Sequence, residues 1–348
     1  MTTPTSAPVT DRAGPPLPVA ELHLHIEGTL EPELLVSLAK RNGALLPTQD
    51  VAELRARYRF GSLQSFLDLY YANLRVLRTE QDFYDLARAY LGRAAAAGVR
   101  RSEIFFDPQA HLANGVPLGA MFGGLTAALA DAARDHGISA GLILFFLRDL
   151  GADAAGQVLR ACLPFRDTFI GVGLDSAEIG YPPALFAGVY RLAAAEGLRL
   201  VAHAGEEGGP DYVRDALDVL HVDRVDHGVR SMEDPALVAR LRDEQIPLTV
   251  CPLSNVALRV VGTLGQHMLP GMLDAGLLAT VNSDDPAYFG GYVDDNLAAV
   301  QRAFGYGDAQ LATLARNSFA ACVAPEPDKQ KWAAEVDAWL ARSCCNSL

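Results

Sequence analysis

The chain is poor in positive charge and has no long hydrophobic run, and these two absences exclude broad classes of function. Its 348 residues carry a formal net charge of −13 and include only three lysines, at positions 40, 329 and 331. Because phosphate groups are bound by basic surfaces, this charge balance argues against a nucleic acid or an anionic membrane surface as a partner. No apolar run approaches the roughly 20 residues of a membrane-spanning helix. We therefore expect a small-molecule substrate, no nucleic acid and no membrane.

Cysteine usage excludes a disulfide framework. The five cysteines are odd in number and form no CxxC motif. This usage suits a reducing compartment and predicts a cytoplasmic location. Residues 1–18 are rich in Pro, Thr and Ala and lack both the basic start and the apolar stretch of a secretory signal, so we predict a disordered leader. Residues 19–342 contain no linker and are predicted to form a single domain, followed by a tail over residues 343–348.

Short apolar segments recur along the chain, and each is followed by a stretch with helical spacing. Continuous apolar strands that alternate with helices indicate a parallel sheet covered on both faces. Eight such units predict an α/β fold of the closed (β/α)8 TIM barrel type. The rival, an open doubly wound sheet, would favour a GxGxxG loop after the first strand, and none occurs there. The predicted strands are 19–25, 102–108, 141–147, 169–175, 198–203, 223–227, 247–252 and 277–285.

Two further helical regions flank these units. Residues 26–101 read as an all-helical insertion after the first strand, and residues 305–342 read as a closing helical segment. Within the insertion, Leu63, Phe66 and Leu67 share one helix face. That face packs either into the core, which is the usual role of such spacing, or over a pocket as a lid.

Polar residues follow the predicted strands at the end where barrel enzymes place their reactive groups. His23 and His25 lie two apart at the end of the first strand, and residues i and i+2 of a strand point to the same side. The other strand-end groups are His203, His227, Asp284 and Asp285. Three imidazoles and a carboxylate from this set would suit one zinc ion with a position left for water, whose pKa zinc lowers to about 7.

The sequence HAGEE over residues 203–207 adds an acid to this group. Glu206 follows His203 by three residues and is expected to face the same end of the barrel, where a carboxyl could shuttle a proton. The spacing is not HExxH, so a zincin helix is not implied. No lysine lies in a predicted barrel strand, and the fourth strand ends in Asp175. A carbamylated lysine between two metals is therefore not expected, and a single metal is favoured.

Five motifs occur in an order that is specific to one family. They are HLHIEGT, HAGEE, RVDHGVR, CPLSNV and NSDDPAYFGGY. With them, the chain resembles the adenosine/adenine deaminase family, metal-dependent barrel hydrolases that convert a 6-aminopurine into its 6-oxo form, over about residues 19–340. It is more similar to the adenine deaminase branch, because it reads His-Ile-Glu-Gly where adenosine deaminases usually read His-Leu-Asp-Gly. FFDPQAH, GLDSAEIG and DDPAYFGGY differ from the nucleoside enzymes as well.

The resemblance implies a role for each strand-end residue. One zinc ion per subunit would be held by His23, His25, His203 and Asp284. Glu206 would give a proton to the purine N1, and His227 would orient and help deprotonate the attacking water. Asp285 would contact N7, whereas Glu178 is a weaker candidate for substrate binding. Glu27, one methylene longer than the Asp that contacts the sugar in nucleoside enzymes, would fill the space of a ribose.

The resemblance predicts zinc-dependent hydrolytic deamination of adenine to hypoxanthine and ammonia, as in purine salvage. The alternatives are an adenosine deaminase, a deaminase of another 6-aminopurine derivative, or a catalytically silent purine-binding protein. Glu27 and Glu178 could instead only fix loops, and Asp175 could cap the loop after the fourth strand. His111 is interpreted as a loop histidine, and no chemistry is assigned to His136, His221 or His267. The sequence does not predict an oligomeric state.

Overall fold

Eight parallel strands pair in the order of the chain, each with the next. In this computed structural model, which describes residues 15–345, they are β1 (Val19–His25), β2 (Val99–Phe106), β3 (Ser139–Leu147), β4 (Phe169–Asp175), β5 (Arg199–Ala204), β6 (Arg224–His227), β7 (Leu248–Val250) and β8 (Ala279–Val281). Just beyond β8, the Asp284 N–H donates to the His23 carbonyl and the His25 N–H donates to the Asp284 carbonyl, both at 3.0 Å. These bonds join the last strand to the first and form a nearly closed TIM barrel, which confirms the predicted fold class.

Helices follow the strands and cover the outside of the barrel. They are α1 (Pro32–Asn42), α2 (Val51–Ala56), α3 (Leu63–Asn73), α4 (Glu80–Ala96), α5 (Pro108–Ala113), α6 (Leu118–His136), α7 (Ala152–Cys162), α8 (Ala187–Ala195), α9 (Pro210–Asp218), α10 (Pro235–Asp243), α11 (Pro252–Ala257), α12 (Leu269–Asp274), α13 (Pro286–Phe289), α14 (Val293–Phe304), α15 (Asp308–Ala321) and α16 (Glu326–Cys345). Helices α1 to α4 form the predicted insertion after β1, and none of the described helices is long and apolar enough to cross a membrane.

The predicted strands agree with the observed ones in number and order, and the bounds differ where the backbone turns. The eighth strand ends at Val281 rather than at residue 285, because Asp284 has a left-handed backbone with a φ of 65°. The second strand begins three residues earlier than predicted, since Val99 pairs with Val19. Most of the predicted leader lies outside the described residues, and Leu17 at its end is buried. The predicted tail begins inside α16.

One part of the barrel interior beneath the strand ends is apolar. Phe105, Ile143, Phe145 and Val201 form a separate buried cluster there. The rings of Phe105 and Phe145 stack at 4.1 Å between centroids, and the ring of His23 lies 5.0 Å from that of Phe105. The ring of His23 therefore packs against buried aromatic rings, where electrostatic interactions are stronger than in water.

Helix α15 lies against the opposite end of the strands. The Ala20 N–H donates to the Ser318 Oγ at 2.8 Å, and the Asn317 side chain donates to the Ala279 carbonyl at 2.9 Å. The packing of this helix on β1 and β8 leaves the C-terminal ends of the strands as the open end of the barrel.

Candidate metal centre and active site

Four donor groups converge at the C-terminal ends of the strands. The Nε2 atoms of His25 and His203 lie 3.3 Å apart. The Asp284 Oδ1 lies 3.4 Å from the His23 Nε2 and 3.6 Å from the His25 Nε2. Ligands about 2.0–2.1 Å from a zinc ion in tetrahedral geometry are about 3.3–3.4 Å apart. The structure thus brings together His23, His25, His203 and Asp284 at the spacing that such an ion requires.

Hydrogen bonds around the histidines direct lone pairs into this space. The Thr249 hydroxyl donates its one proton to Asp226 at 2.8 Å, so it accepts from the His23 Nδ1–H at 3.0 Å. The His25 Nδ1 lies 3.5 Å from the Asp175 Oδ2. With its proton on Nδ1, the His23 Nε2 presents a lone pair to the Asp284 carboxylate oxygen. Facing lone pairs repel unless a cation lies between them, so the donor set fits a divalent metal ion.

Burial keeps the imidazoles of His25 and His203 neutral, as ligation requires. It lowers the pKa of His25 to about 4 and the pKa of His203 well below the usual range, and neighbouring histidines add to the second effect. For Asp284, burial acts to raise the pKa, but His23 and the other imidazoles around the carboxyl hold it well below its usual range. The group is therefore an anionic oxygen ligand beside neutral nitrogen ligands.

Two other clusters in the described part of the chain have metal-like spacing but the wrong protonation. One includes Cys251 with His23, His227 and Asp284, and the other joins His25 to Asp107 and Asp175. Burial raises the pKa of the Cys251 thiol well above its usual range, so it is not a thiolate ligand. Burial, reinforced by the mutual contact of the two acids, likewise raises the pKa of Asp107. Both clusters are poorer cation sites than the four-donor centre.

Backbone strain accompanies the chemistry at two of these positions. His227 at the end of β6 has a φ of 63°, and Asp284 after β8 has a φ of 65°. Non-glycine residues seldom adopt this left-handed conformation, and it concentrates at functional sites where surrounding contacts hold it. The bonds between the Asp284 backbone and β1 hold it here, and they aim the carboxylate at the histidines.

Glu206 and His227 lie beside the four-donor centre, as predicted. The His227 Nε2 is 3.5 Å from the Glu206 Oε2 and 3.9 Å from the Asp284 Oδ2. Burial and the charge of Asp284 raise the pKa of Glu206 well above its usual range. Burial and His23 lower the pKa of His227 to about 3. The pair is thus a protonated acid next to a neutral imidazole, which is the state that a proton donor needs.

Glu178 holds the HAGEE loop from below. Its two carboxylate oxygens accept four consecutive backbone N–H groups, those of Gly205, Glu206, Glu207 and Gly208, at 2.7–3.1 Å. Glu178 does not line the pocket beside the four-donor centre. Its position matches the loop-fixing alternative and not the predicted contact with substrate, because its acceptors are already used by the backbone.

Glu27 is equally buried and is linked to a histidine that sequence reasoning misjudged. The Glu27 Oε1 accepts the Asp107 N–H at 3.1 Å and lies 2.8 Å from the His111 Nε2. The interpretation of His111 as a loop histidine is therefore wrong, because it is a fully buried residue of α5. Glu27 lies behind the pocket wall, so any effect on specificity acts through the position of Asp107.

Asp285 faces the pocket next to the Asp284 carboxylate. Burial and the charge of Asp284 raise the pKa of Asp285 well above its usual range. The backbone of Gly28 approaches it so closely that a Cβ there would lie 2.0 Å from the Asp285 Oδ1. Gly28 in the HIEGT motif thus makes room for this side chain, which is available as a polar contact to a ligand.

A pocket lies between these groups and the insertion, and the space inside it, part of which is open to solvent, is about 420 Å³. The α3 face supplies Leu63, Phe66 and Leu67, which pack on the core and also line the pocket. The role of this helix as a lid stays a prediction. Sequence reasoning missed Asp107 and left Asp175 aside, although both follow strand ends. The lining residues are His25, Leu63, Phe66, Leu67, Tyr70, Tyr71, Asp107, Asp175, Ser176, His203, Glu206, His227, Leu258, Asp284 and Asp285.

Comparison with known proteins gives matches over nearly the whole chain. The sequence profile of the adenosine deaminase family matches residues 18–339. An adenine deaminase of Streptomyces coelicolor is 61% identical over 93% of this chain and 96% of its own. The adenine deaminase of Arthrobacter aurescens, a crystal structure, superposes with a TM-score of 0.92 at 55% identity, covering 93% of this chain and 99% of that one. A zinc-bound amidohydrolase of Burkholderia ambifaria gives a TM-score of 0.86 at 31% identity, covering 95% and 93%. The chain belongs to the adenosine deaminase family.

Proposed function

We propose that the protein is an enzyme that deaminates adenine hydrolytically, giving hypoxanthine and ammonia, with one zinc ion per subunit. The observation that carries the proposal is the buried Glu206 carboxyl, which lines the same pocket as the four-donor centre. The relatives named adenine deaminase support the choice of substrate. The Burkholderia amidohydrolase with bound zinc, together with the nitrogen and oxygen donors here, supports the choice of metal.

His23, His25, His203 and Asp284 would hold the metal. When bound, zinc supplies a water molecule of lowered pKa, about 7, as the nucleophile. The Glu206 carboxyl donates its proton to the purine N1, which makes C6 more electrophilic. Asp285, protonated in its buried position, donates to N7 and fixes the ring. His227 orients the oxygen that adds to C6, and the proton that the water gives up restores the Glu206 carboxyl. As the C6–N bond breaks, the remaining proton on that oxygen passes to the exocyclic amine, which leaves as ammonia.

The restricted pocket favours the free base over the nucleoside. Helix α3 lines the pocket with Leu63, Phe66 and Leu67, and the buried side chain of Tyr70 lines it as well. Glu27 fixes the Asp107 backbone of the wall through its hydrogen bond, so we place the exclusion of ribose there. Adenosine and other 6-aminopurine derivatives remain the alternative substrates of the same chemistry. A role in purine salvage and a cytoplasmic location follow from the substrate and from the cysteine usage.

A substrate panel tests the proposal. Zinc-loaded protein is assayed for ammonia release with adenine, adenosine, guanine and cytosine, and kcat/KM is compared. We expect adenine to be preferred over adenosine by at least about 100-fold, since a pocket that must reorganise for a ribose loses several kcal/mol of transition-state binding. A preference for adenosine, or the absence of ammonia release with every purine, would contradict the proposal.

A further inference from the structure

We infer that Asn255 and His267 are positioning residues that hold His227 in one tautomer, with its proton on Nε2. Neither residue touches the pocket, and the sequence assigned no chemistry to His267. The inference rests on the proposed function only for its consequence in catalysis, since the tautomer itself follows from hydrogen bonds within the protein.

The chain of hydrogen bonds begins at a backbone group. The Leu269 N–H donates to the His267 Nδ1 at 3.0 Å. A backbone N–H can only donate, so the His267 Nδ1 is an acceptor and carries no proton. The ring is 4% exposed, and burial lowers its pKa to about 4, which keeps it neutral at pH 7. The single ring proton of His267 is therefore on Nε2.

The second link is a buried amide. The His267 Nε2 lies 3.1 Å from the Asn255 Oδ1, and its proton requires an oxygen there rather than the amide nitrogen. This bond fixes the orientation of the Asn255 side chain, which is fully buried. The Asn255 Nδ2 then faces His227, at 3.5 Å from its Nδ1.

The last link sets the protonation of His227. Because the Asn255 amide nitrogen donates, the His227 Nδ1 accepts, and the proton of the neutral ring is on Nε2. That Nε2–H faces the Glu206 Oε2 and the Asp284 Oδ2. In this tautomer His227 donates a hydrogen bond to the oxygen that adds to C6. It does not take a proton at that nitrogen, in contrast to the expectation from sequence that it helps to deprotonate the water.

Nitrogen NMR of the metal-loaded protein tests the tautomer directly. Protein labelled with ¹⁵N in its eight histidines is compared with its His227→Gln variant to assign the His227 resonances. We expect an unprotonated Nδ1 and a protonated Nε2. Proton on Nδ1 in the wild-type protein would overturn the inference. This readout needs no substrate, so it stands or falls separately from the deamination of adenine.

Two substitutions test the role in catalysis. Asn255→Asp keeps the shape but can only accept, so it shifts a proton of His227 onto Nδ1. We expect kcat for adenine to fall about 100-fold with KM within about threefold, since a wrong tautomer in a preorganised site acts mainly on the chemical step. Asn114→Asp, a part-exposed asparagine on the outer surface, is the matched control and should leave both constants unchanged.

Two variants of His267 give a second test of the same role, which does not depend on whether Asn255→Asp folds. His267→Phe removes the donor to Asn255 and should lower kcat about tenfold, whereas His267→Gln keeps an amide donor and should stay within about threefold of wild type. Thermal unfolding of each variant is measured in parallel. Unchanged kcat in both Asn255→Asp and His267→Phe, or equal loss in His267→Phe and His267→Gln, would overturn the positioning role.

Discussion

The two ends of the barrel bury charged groups in opposite ways. At the N-terminal end, acids meet bases: the Glu103 carboxylate lies 2.6 Å from the Arg224 Nη1, and it also accepts the Val323 N–H. At the C-terminal end, acids meet acids and neutral imidazoles, as with Asp284 and Asp285 or Asp107 and Asp175. Opposite charges thus meet at the N-terminal end, whereas acids lie close to other acids at the C-terminal end.

This difference indicates that the charges at the N-terminal end contribute to stability and those at the C-terminal end to function. Opposite charges at the N-terminal end offset their own desolvation, whereas like charges at the C-terminal end shift pKa values and can be relieved only by protons, a metal or a ligand. Arg224 and Asp226 connect the two regions, since the Arg224 Nε lies 3.2 Å from Asp226 and Asp226 accepts from Thr249 behind His23. The paired charges at the N-terminal end thus help to hold His23 in place.

The largest effect is expected from breaking the four-donor centre. Asp284→Asn replaces the anionic oxygen ligand with a neutral amide. Bound zinc should therefore fall below one tenth of an equivalent, and turnover should fall at least about 1,000-fold. Metal content after gel filtration and ammonia release measure the two effects. The exposed Asp274→Asn is the control, and full zinc content in Asp284→Asn would refute the ligand assignment.

Glu206→Gln separates metal binding from proton donation. The amide retains the shape of the side chain but cannot transfer a proton to N1, so kcat should fall about 10²–10⁴-fold while one equivalent of zinc stays bound. Glu207→Gln, the next residue on the same loop, should keep near wild-type turnover because it lies outside the pocket. Normal activity of Glu206→Gln would remove the proton-donor assignment.

The opposite end should respond in stability and not in activity. Glu103→Gln removes one of the two anionic partners of the buried Arg224 guanidinium and leaves Asp226 as the other, so it should lower the free energy of unfolding by about 3 kcal/mol, with kcat/KM within twofold. Chemical denaturation measures the first quantity. Glu335→Gln breaks a half-exposed pair with Arg100 and should cost less than about 1 kcal/mol. A large loss of activity without a loss of stability in Glu103→Gln would erase the contrast between the ends.

The smallest effect concerns specificity. Glu27→Asp shortens the side chain that accepts from Asp107 and His111, which should loosen the wall and raise the ratio of adenosine to adenine kcat/KM by about tenfold or less. Glu53→Asp on the exposed helix α2 is the control. An unchanged ratio would show that Glu27 does not restrict the substrate.

The fold and the metal ligands follow from local rules that the sequence displays. Apolar segments alternate with helical stretches, and the strand-end rule predicted that the group including His23, His25, His203 and Asp284 would meet. The resemblance to the family then selected these four as the metal ligands. The contribution of Asp107 was accessible to the same rule, because it follows β2 directly. The rest could not be predicted, since it depends on side chains that meet only after folding.

Glu178 and His267 illustrate that limit. The carboxylate of Glu178 accepts N–H groups of a loop that begins 27 residues later in the chain, and no pattern in GLDSAEIG indicates this. His267 is linked to His227 through Asn255, and the three residues come from separate segments of the chain. The end of β8 was also misplaced, because the left-handed backbone of Asp284 is not visible as a periodicity.

X-ray absorption of the zinc-loaded protein tests the four-donor centre most directly. We expect one zinc per chain with a shell of nitrogen and oxygen at about 2.0–2.1 Å, about three imidazoles by multiple scattering, and no sulfur. A sulfur shell at about 2.3 Å would place the ion with Cys251 instead, and failure to bind one equivalent would contradict the centre altogether.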